Sequence, residues 1–318
     1  MESTSLAPAE SGLAIETPPI VVTRGVTKHY GLVHAVDGVD LEIGRGELFG
    51  LIGHNGAGKS TLFKMMLGLI PATSGQIFID GEPVSGHGYR AVRRKIGYLP
   101  ENVVFYDNLT GLETLQFFSR LKGAPLGACM PALERVGLLQ AASRRVREYS
   151  KGMRQRLGFA QALLGDPRIL FLDEPTTGLD PEAIREFYGI LRRLRSEGVT
   201  MVLTSHILAE IQERVDRLAI MAAGRIQAIG TVQGLRERMN LPVWFDVRIA
   251  PEYFEDVREA LGSLPISAID ARDGHVSVQC RRETKMAVIE ALTALNGKML
   301  DLHVREPSLE DVFFGFSD

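Results

Sequence analysis

Apolar and polar residues follow different periods along this chain, and each change of period marks an element. Glu47-Leu48-Phe49-Gly50-Leu51-Ile52 and Arg168-Ile169-Leu170-Phe171-Leu172 are short runs of almost unbroken apolar residues. Such runs predict strands buried on both faces, as in a parallel sheet. Val199-Thr200-Met201-Val202-Leu203-Thr204 reads as a third strand. Helical spacing follows the first run at Leu62-Phe63-Lys64-Met65-Met66-Leu67-Gly68-Leu69 and returns at Leu157-Gly158-Phe159-Ala160-Gln161-Ala162-Leu163-Leu164. Residues 102–148 also look helical, with Leu112, Leu115, Phe118 and Leu121 spaced along Gly111 to Lys122. Strands alternating with helices predict an α/β fold.

After residue 235 the texture changes. Val243 to Ile249 alternates as a half-buried strand, Glu252 to Leu264 is helix-like, and Asp273-Gly274 is a hairpin signal within Ile269 to Val276. Glu283 to Leu295 reads as a helix and Met299 to Val304 as a strand, which completes a β-α-β-β-α-β order. Ser308-Leu309-Glu310-Asp311 looks like the capped start of a terminal helix. The expected organisation is a flexible tail over 1–19, an α/β domain over 20–235 with a helical subdomain at about 102–160, and a ferredoxin-like α+β domain over 241–318. That last domain offers no catalytic residues.

At 318 residues the chain has room for about two domains, at ~100–200 residues each. A net charge of −3 argues against a general nucleic-acid binder. No segment reaches the ~18–20 uninterrupted apolar residues of a membrane helix. Met1 to Pro19 is polar and lacks the basic start and apolar stretch of a secretion signal, so a cytoplasmic chain is expected. Cys129 and Cys280 are far apart, outside any C-x-x-C pattern, and fit packing thiols in a reducing compartment.

Chemistry is densest at Gly53-His54-Asn55-Gly56-Ala57-Gly58-Lys59-Ser60-Thr61. Lying between a buried strand and a helix, this is the spacing of a phosphate-binding P-loop. The glycines let backbone N–H groups turn inward toward phosphate oxygens, and the helix start adds its positive dipole end. Lys59 would reach the β- and γ-phosphates, and the Ser60 hydroxyl would ligate Mg²⁺. A glycine-rich turn with a chance Gly-Lys-Ser is the plain alternative. The second run ends in Asp173-Glu174-Pro175. Asp173 is placed to hold Mg²⁺ and Glu174 to polarise an attacking water as general base. Two solvated acids at a strand end would be the bland reading.

Between these lies Tyr149-Ser150-Lys151-Gly152-Met153-Arg154-Gln155-Arg156, with serine at a helix N-cap. The order of P-loop, Ser-x-Gly helix start, Leu172-Asp173-Glu174-Pro175, Gly178-Leu179-Asp180 and Ser205-His206 resembles that of ATP-binding-cassette ATPases. The resemblance covers most of residues 20–230. It implies a head-to-tail homodimer in which Ser150 and Gly152 of one protomer contact the γ-phosphate of ATP held by the other. Tyr149, Lys151 and Met153 depart from the common Leu-Ser-Gly-Gly-Gln form, while the serine and second glycine are kept. By the same resemblance Tyr30 stacks on adenine, His206 contacts the γ-phosphate, and Asp180 links the two sites. A core tyrosine and a structural histidine are the alternatives for the first two. Glu101 stands where glutamine is usual, as a Mg²⁺ ligand or a solvated loop acid.

A cassette with no membrane span implies a separate permease subunit, with the ATPase peripheral on the cytoplasmic face of the inner membrane. The helical insert would receive a coupling helix of that subunit, or simply pack in the core. Sustained heptads of the DNA-repair type are absent between the motifs, and one cassette does not fit translation ATPases. Arg144, Arg145, Arg147, Arg154 and Arg156 read as a solvated positive face. Tyr98-Leu99-Pro100-Glu101-Asn102-Val103, Phe105-Tyr106, Glu113-Thr114-Leu115 and Ala160-Gln161-Ala162-Leu163-Leu164-Gly165 resemble, with the signature helix, the ATPase subunit of nitrous-oxide-reductase maturation systems. That likeness implies a copper-linked role with a periplasmic accessory protein. Pro307-Ser308-Leu309-Glu310-Asp311-Val312-Phe313 is shared with drug, sodium and polysaccharide exporters, the alternative. Copper itself is expected on the partners, because Cys129, Cys280, His87, His275 and His303 show no clustered ligands and Met65, Met66 and Met153 suit packing.

Overall fold

The computed structural model describes residues 18–239, 242–272, 274–295 and 297–305. The tail through residue 17, Asp273 and the terminal-helix signal at Ser308 to Asp311 lie outside them. In chain order the strands before residue 231 are β1 (Val21–Tyr30), β2 (Val33–Ile43), β3 (Leu48–Ile52), β4 (Ser74–Ile79), β5 (Glu82–Pro83), β6 (Ile96–Leu99), β7 (Ile169–Leu172), β8 (Thr200–Ser205), β9 (Arg217–Ala222) and β10 (Arg225–Gly230). The helices are α1 (Lys59–Met66), α2 (Tyr89–Arg93), α3 (Gly111–Lys122), α4 (Cys129–Arg135), α5 (Lys151–Leu163), α6 (Pro181–Ser196), α7 (Leu208–Ile211) and α8 (Val232–Met239).

One sheet has the order β10-β9-β3-β8-β7-β6, and an antiparallel sheet has the order β2-β1-β4-β5. β7 runs parallel to both neighbours, with Leu172 level with Leu99 on β6 and Leu203 on β8. Every residue of β3, β7 and β8 is buried, which is why these runs carry no alternation. The chain falls into two compact units, one comprising the residues up to 49, 56–204 and 223–225, the other 50–55, 205–222 and 226 onward.

Helix α3 starts with a reciprocal capping box: Thr110 Oγ1 accepts from the Glu113 N–H, and a Glu113 carboxylate oxygen accepts from the Thr110 N–H. Its buried face is Gly111, Thr114, Leu115 and Ser119, so of the four spaced apolar residues Leu115 is buried, Leu112 and Phe118 are half-buried and Leu121 is exposed. Leu121 is 69% exposed and Phe117 37%. Small residues let this helix lie close to its neighbours, so its larger apolar side chains turn outward.

The C-terminal elements are β11 (Val243–Ile249), α9 (Phe254–Leu261), β12 (Ile266–Arg272), β13 (His275–Cys280), α10 (Lys285–Thr293) and β14 (Met299–Arg305). The antiparallel sheet order β12-β13-β11-β14 is that of a ferredoxin-like fold. Alternation on β11 sends Val243, Phe245, Val247 and Ile249 inward, where they pack with Val257, Leu261, Val288 and Leu292. Arg272 pairs with His275 across the hairpin, and Gly274 supplies its positive φ of 84°.

Candidate functional site

The loop from β3 to α1 begins at Gly53, whose N–H bonds the Ser205 carbonyl, and it turns on Gly56 (φ 85°) and Gly58 (φ 105°). Those left-handed angles favour glycine, which explains both positions without reference to any ligand. Gly58 is the N-cap of α1, where no side chain caps the helix and no acid sits in the first turn. The positive end of α1 is thus left to whatever anion the loop encloses. His54 and Asn55 are exposed, Ala57 is buried, and Ser60 and Thr61 are half-buried.

Lys59 is buried, and its Nζ lies 3.4 Å from Glu174 Oε1. Asp173 and Glu174 emerge from the buried end of β7 and are themselves 5% and 9% exposed. Thr204 on β8 joins them: its Oγ1 donates to Asp173 Oδ1 at 2.7 Å and accepts from the Glu174 N–H at 2.8 Å. The Asp173 N–H continues the sheet ladder to Leu99 O. Glu174 has φ +46°, a left-handed backbone that costs a non-glycine residue ~1–3 kcal/mol where neighbours enforce it. Such strain collects at sites that must aim a side chain. Spacing along the chain identified Lys59, Asp173 and Glu174, but not Thr204. The signal was a hydroxyl residue directly after the apolar run Met201-Val202-Leu203.

Burial pushes the Asp173 carboxyl above its ordinary range, and the Glu174 charge adds to this. The Thr204 hydrogen bond and Lys59 oppose it. A raised carboxyl pKa contributes stability that is fully present below the unfolded value and lost as pH rises through the folded one. At neutral pH Asp173 is therefore a stability cost that function must explain. Asp173→Asn is expected to raise the thermal unfolding midpoint of the ligand-free chain at neutral pH, with the gain shrinking toward acid. A midpoint that is lowered, or unchanged with pH, would refute that. Tyr98 on β6 is pushed up to about 12 by burial and by the charges of Asp173 and Glu101, so both acids act on its phenol. Glu101 is exposed just past that strand.

Ser150 is exposed at the N-cap of α5, where its Oγ accepts from the Met153 N–H at 3.2 Å. A Cβ built on Gly152 would meet only Leu179 at 3.7 Å, so nothing in its own chain requires glycine there. The departures from the common motif have local uses. Tyr149 is buried and donates to Ala141 O at 2.7 Å, while Lys151 folds over Gly178. Buried Gln155 donates to Pro175 O, tying α5 to the Asp-Glu-Pro segment, a contact that sequence reasoning missed.

Asp180 is exposed and caps α6 through the Ala183 N–H at 2.8 Å. His206 is exposed directly after β8. Tyr30 is 51% exposed with Lys28 Nζ 5.2 Å from its ring, so it is not the core tyrosine that was one alternative. Ser150 and Asp180 use their side chains on their own helix starts, accepting from the Met153 and Ala183 N–H groups. The arginine run is partly neutralised, by Glu148 on Arg144, Asp107 on Arg154 and Glu186 on Arg156.

A family profile described as ABC transporter matches residues 36–177. An uncharacterized ABC transporter ATP-binding protein of a Synechocystis strain is 36% identical, over 94% of this chain and 86% of its own length. The daunorubicin resistance ATP-binding protein of Streptomyces coeruleorubidus is 34% identical over 92% of this chain and 94% of that one. The linearmycin resistance ATP-binding protein of Bacillus subtilis is 30% identical over 92% and 97%. Among solved structures, an ATP-binding subunit of an ABC transporter superposes with a TM-score of 0.63 at 31% identity, covering 69% of this chain and 93% of that one. A dimeric post-hydrolysis cassette bound to ADP and Pi superposes with a TM-score of 0.61 at 26% identity, covering 66% and 98%. With a buried lysine and paired carboxylates at the P-loop, and with relatives matched over nearly their whole length, the chain belongs to the ATP-binding proteins of ABC transporters.

Proposed function

We propose that this chain is the ATPase subunit of an ABC-2-type drug exporter, acting as a homodimer on a separate membrane subunit. The observation that carries the reading is its full-length similarity to the daunorubicin and linearmycin resistance proteins. Among the described residues no helix is long and apolar enough to cross a membrane. The ATP chemistry follows from the site. Gly53 to Thr61 cradle the phosphates, Lys59 neutralises them, and Tyr30 stacks on the base. Ser60, Asp173 and Glu101 supply the hard oxygen donors that suit Mg²⁺. The ion, when bound, neutralises charge developing on the phosphates. Glu174 takes the proton of the attacking water, His206 contacts the γ-phosphate, and Ser150 and Gly152 reach the partner protomer's nucleotide. Asp180 sits where the two sites communicate.

The surface for the membrane subunit is the aromatic edge of the helical region. Phe105, Phe117 and Phe118 stack edge to face, and Tyr106 packs on Phe117. Val104 is 86% exposed beside a cavity of about 310 Å³ lined by Tyr98, Val103, Phe105 and Phe118. Large outward apolar groups beside a cavity suit a short helix of a partner. Phe105 itself is half-buried against Phe118, so the exposed anchors are Val104 and Tyr106. Co-expression with a candidate ABC-2-type membrane subunit tests the reading. Co-purification and ATP-dependent loss of an anthracycline-like dye from vesicles are expected, and neither occurring would refute it.

The second reading, copper-site maturation of nitrous oxide reductase with a periplasmic accessory protein, rests on the runs around Tyr98 to Tyr106 and Tyr149 to Gly165. It predicts reductase lacking its copper centres when the gene is deleted, with dye export unaffected. Glu101 gives a narrower test of either reading. If its carboxylate assists Mg²⁺, Glu101→Ala raises the Mg²⁺ concentration for half-maximal ATPase activity by several-fold. An unchanged Mg²⁺ dependence would make Glu101 a solvated loop acid.

A further inference from the structure

β1 and β2 carry a second cluster of metal-type ligands that the P-loop chemistry does not use. His29 and His34 are directly opposite in the antiparallel pairing, and their rings stack with centroids 3.9 Å apart. The pairing steps from Lys28–Val36 to His29–His34, so Ala35 is an extra residue on β2. Residues three apart on a regular strand face opposite sides, and one inserted residue brings them to the same side. Asp37 therefore joins the two histidines. One nitrogen from each ring and one Asp37 carboxylate oxygen lie within 4.8 Å of one another.

Asp37 is held in place. Arg225 Nε and Nη2 both donate to its Oδ2, at 2.9 and 2.7 Å, and its N–H bonds Gly224 O. Both of these side-chain bonds fall on Oδ2. His29 Nε2 is buried and has no hydrogen-bond partner, which is costly for a buried polar atom and points to a missing ligand. Two imidazoles and a carboxylate are the donors preferred by Zn²⁺ and its neighbours in the first transition row, and not by Mg²⁺ or Ca²⁺. Ligand atoms around a tetrahedral ion at ~2.0–2.1 Å sit ~3.3 Å apart, so modest ring rotations close the cluster. His34 is exposed, which provides both an entry path and room for water in the remaining position.

We propose that His29, His34 and Asp37 bind one divalent transition-metal ion, of which Zn²⁺ is the natural probe. The pairing escapes the sequence because it depends on a bulge, and it involves histidines other than His87, His275 and His303. Tag-free full-length chain, stripped with chelator and kept in excess Mg²⁺, is titrated with Zn²⁺ against a chromophoric chelator of micromolar affinity. About one equivalent is expected to be retained. His34→Gln, a change at an exposed ring, is expected to weaken retention at least ~10-fold and to abolish visible Co²⁺ bands seen in the parent chain. The double change His29→Ala with His34→Ala should remove retention altogether. No retention by the parent chain, or equal retention by His34→Gln, overturns the proposal.

Discussion

Glu174→Gln is expected to lower ATP hydrolysis by about 10²–10⁴-fold while ATP still binds, so that an ATP-bound dimer accumulates. Glutamine keeps the size of the side chain, and the Glu174 N–H can still bond Thr204 Oγ1. What is lost is the basic oxygen that would take a proton from water. The left-handed backbone at residue 174 persists, because the sheet end and Thr204 impose it. Turnover of the purified variant with its membrane subunit, together with light scattering in ATP, measures both halves of the expectation. Turnover near that of the parent would remove Glu174 from its role as base.

The line between what the sequence discloses and what it hides follows the range of each interaction. The strands β3, β7 and β8 were legible because burial on both faces writes a continuous apolar run. The cluster of Lys59, Asp173 and Glu174 was legible because the loop, the lysine and the carboxylates each sit at an element end fixed by local pattern. Thr204 was not, since its hydrogen bonds to Asp173 and Glu174 span a crossover between neighbouring parallel strands. Helix α3 was legible from its apolar spacing, but of those four residues only Leu115 is fully buried. Periodicity reports which residues are apolar, whereas close packing selected Gly111, Thr114 and Ser119. The histidine pair shows the same limit in a sheet. Five positions separate His29 from His34, and only the hairpin register and the extra residue at Ala35 make them neighbours of Asp37.

Lys59→Ala is expected to fail earlier, at nucleotide binding. Charge-assisted hydrogen bonds contribute ~1.5–3 kcal/mol each, so losing two phosphate contacts weakens ATP on the order of 10²–10⁴-fold. The same change acts on the fold. Lys59 and Glu174 side chains are only 6% and 10% exposed, and removing one member of a buried ion pair costs about 3–5 kcal/mol. Lys59 also holds down the Asp173 carboxyl, so its loss drives that already raised pKa further up. The part of the stability defect that acts through Asp173 should therefore shrink as pH falls and that carboxyl protonates, and it should be largest at neutral pH and above. Adding Glu174→Gln to Lys59→Ala separates the two roles. The double variant is expected to regain much of the lost stability, because a buried charge that has lost Lys59 is gone, yet to bind ATP as weakly as Lys59→Ala alone. Calorimetric unfolding across pH and a fluorescent-nucleotide titration read the two outcomes independently. Recovery of ATP affinity in the double variant would mean that Lys59 acts on nucleotide only by restraining Glu174, and not by touching phosphate.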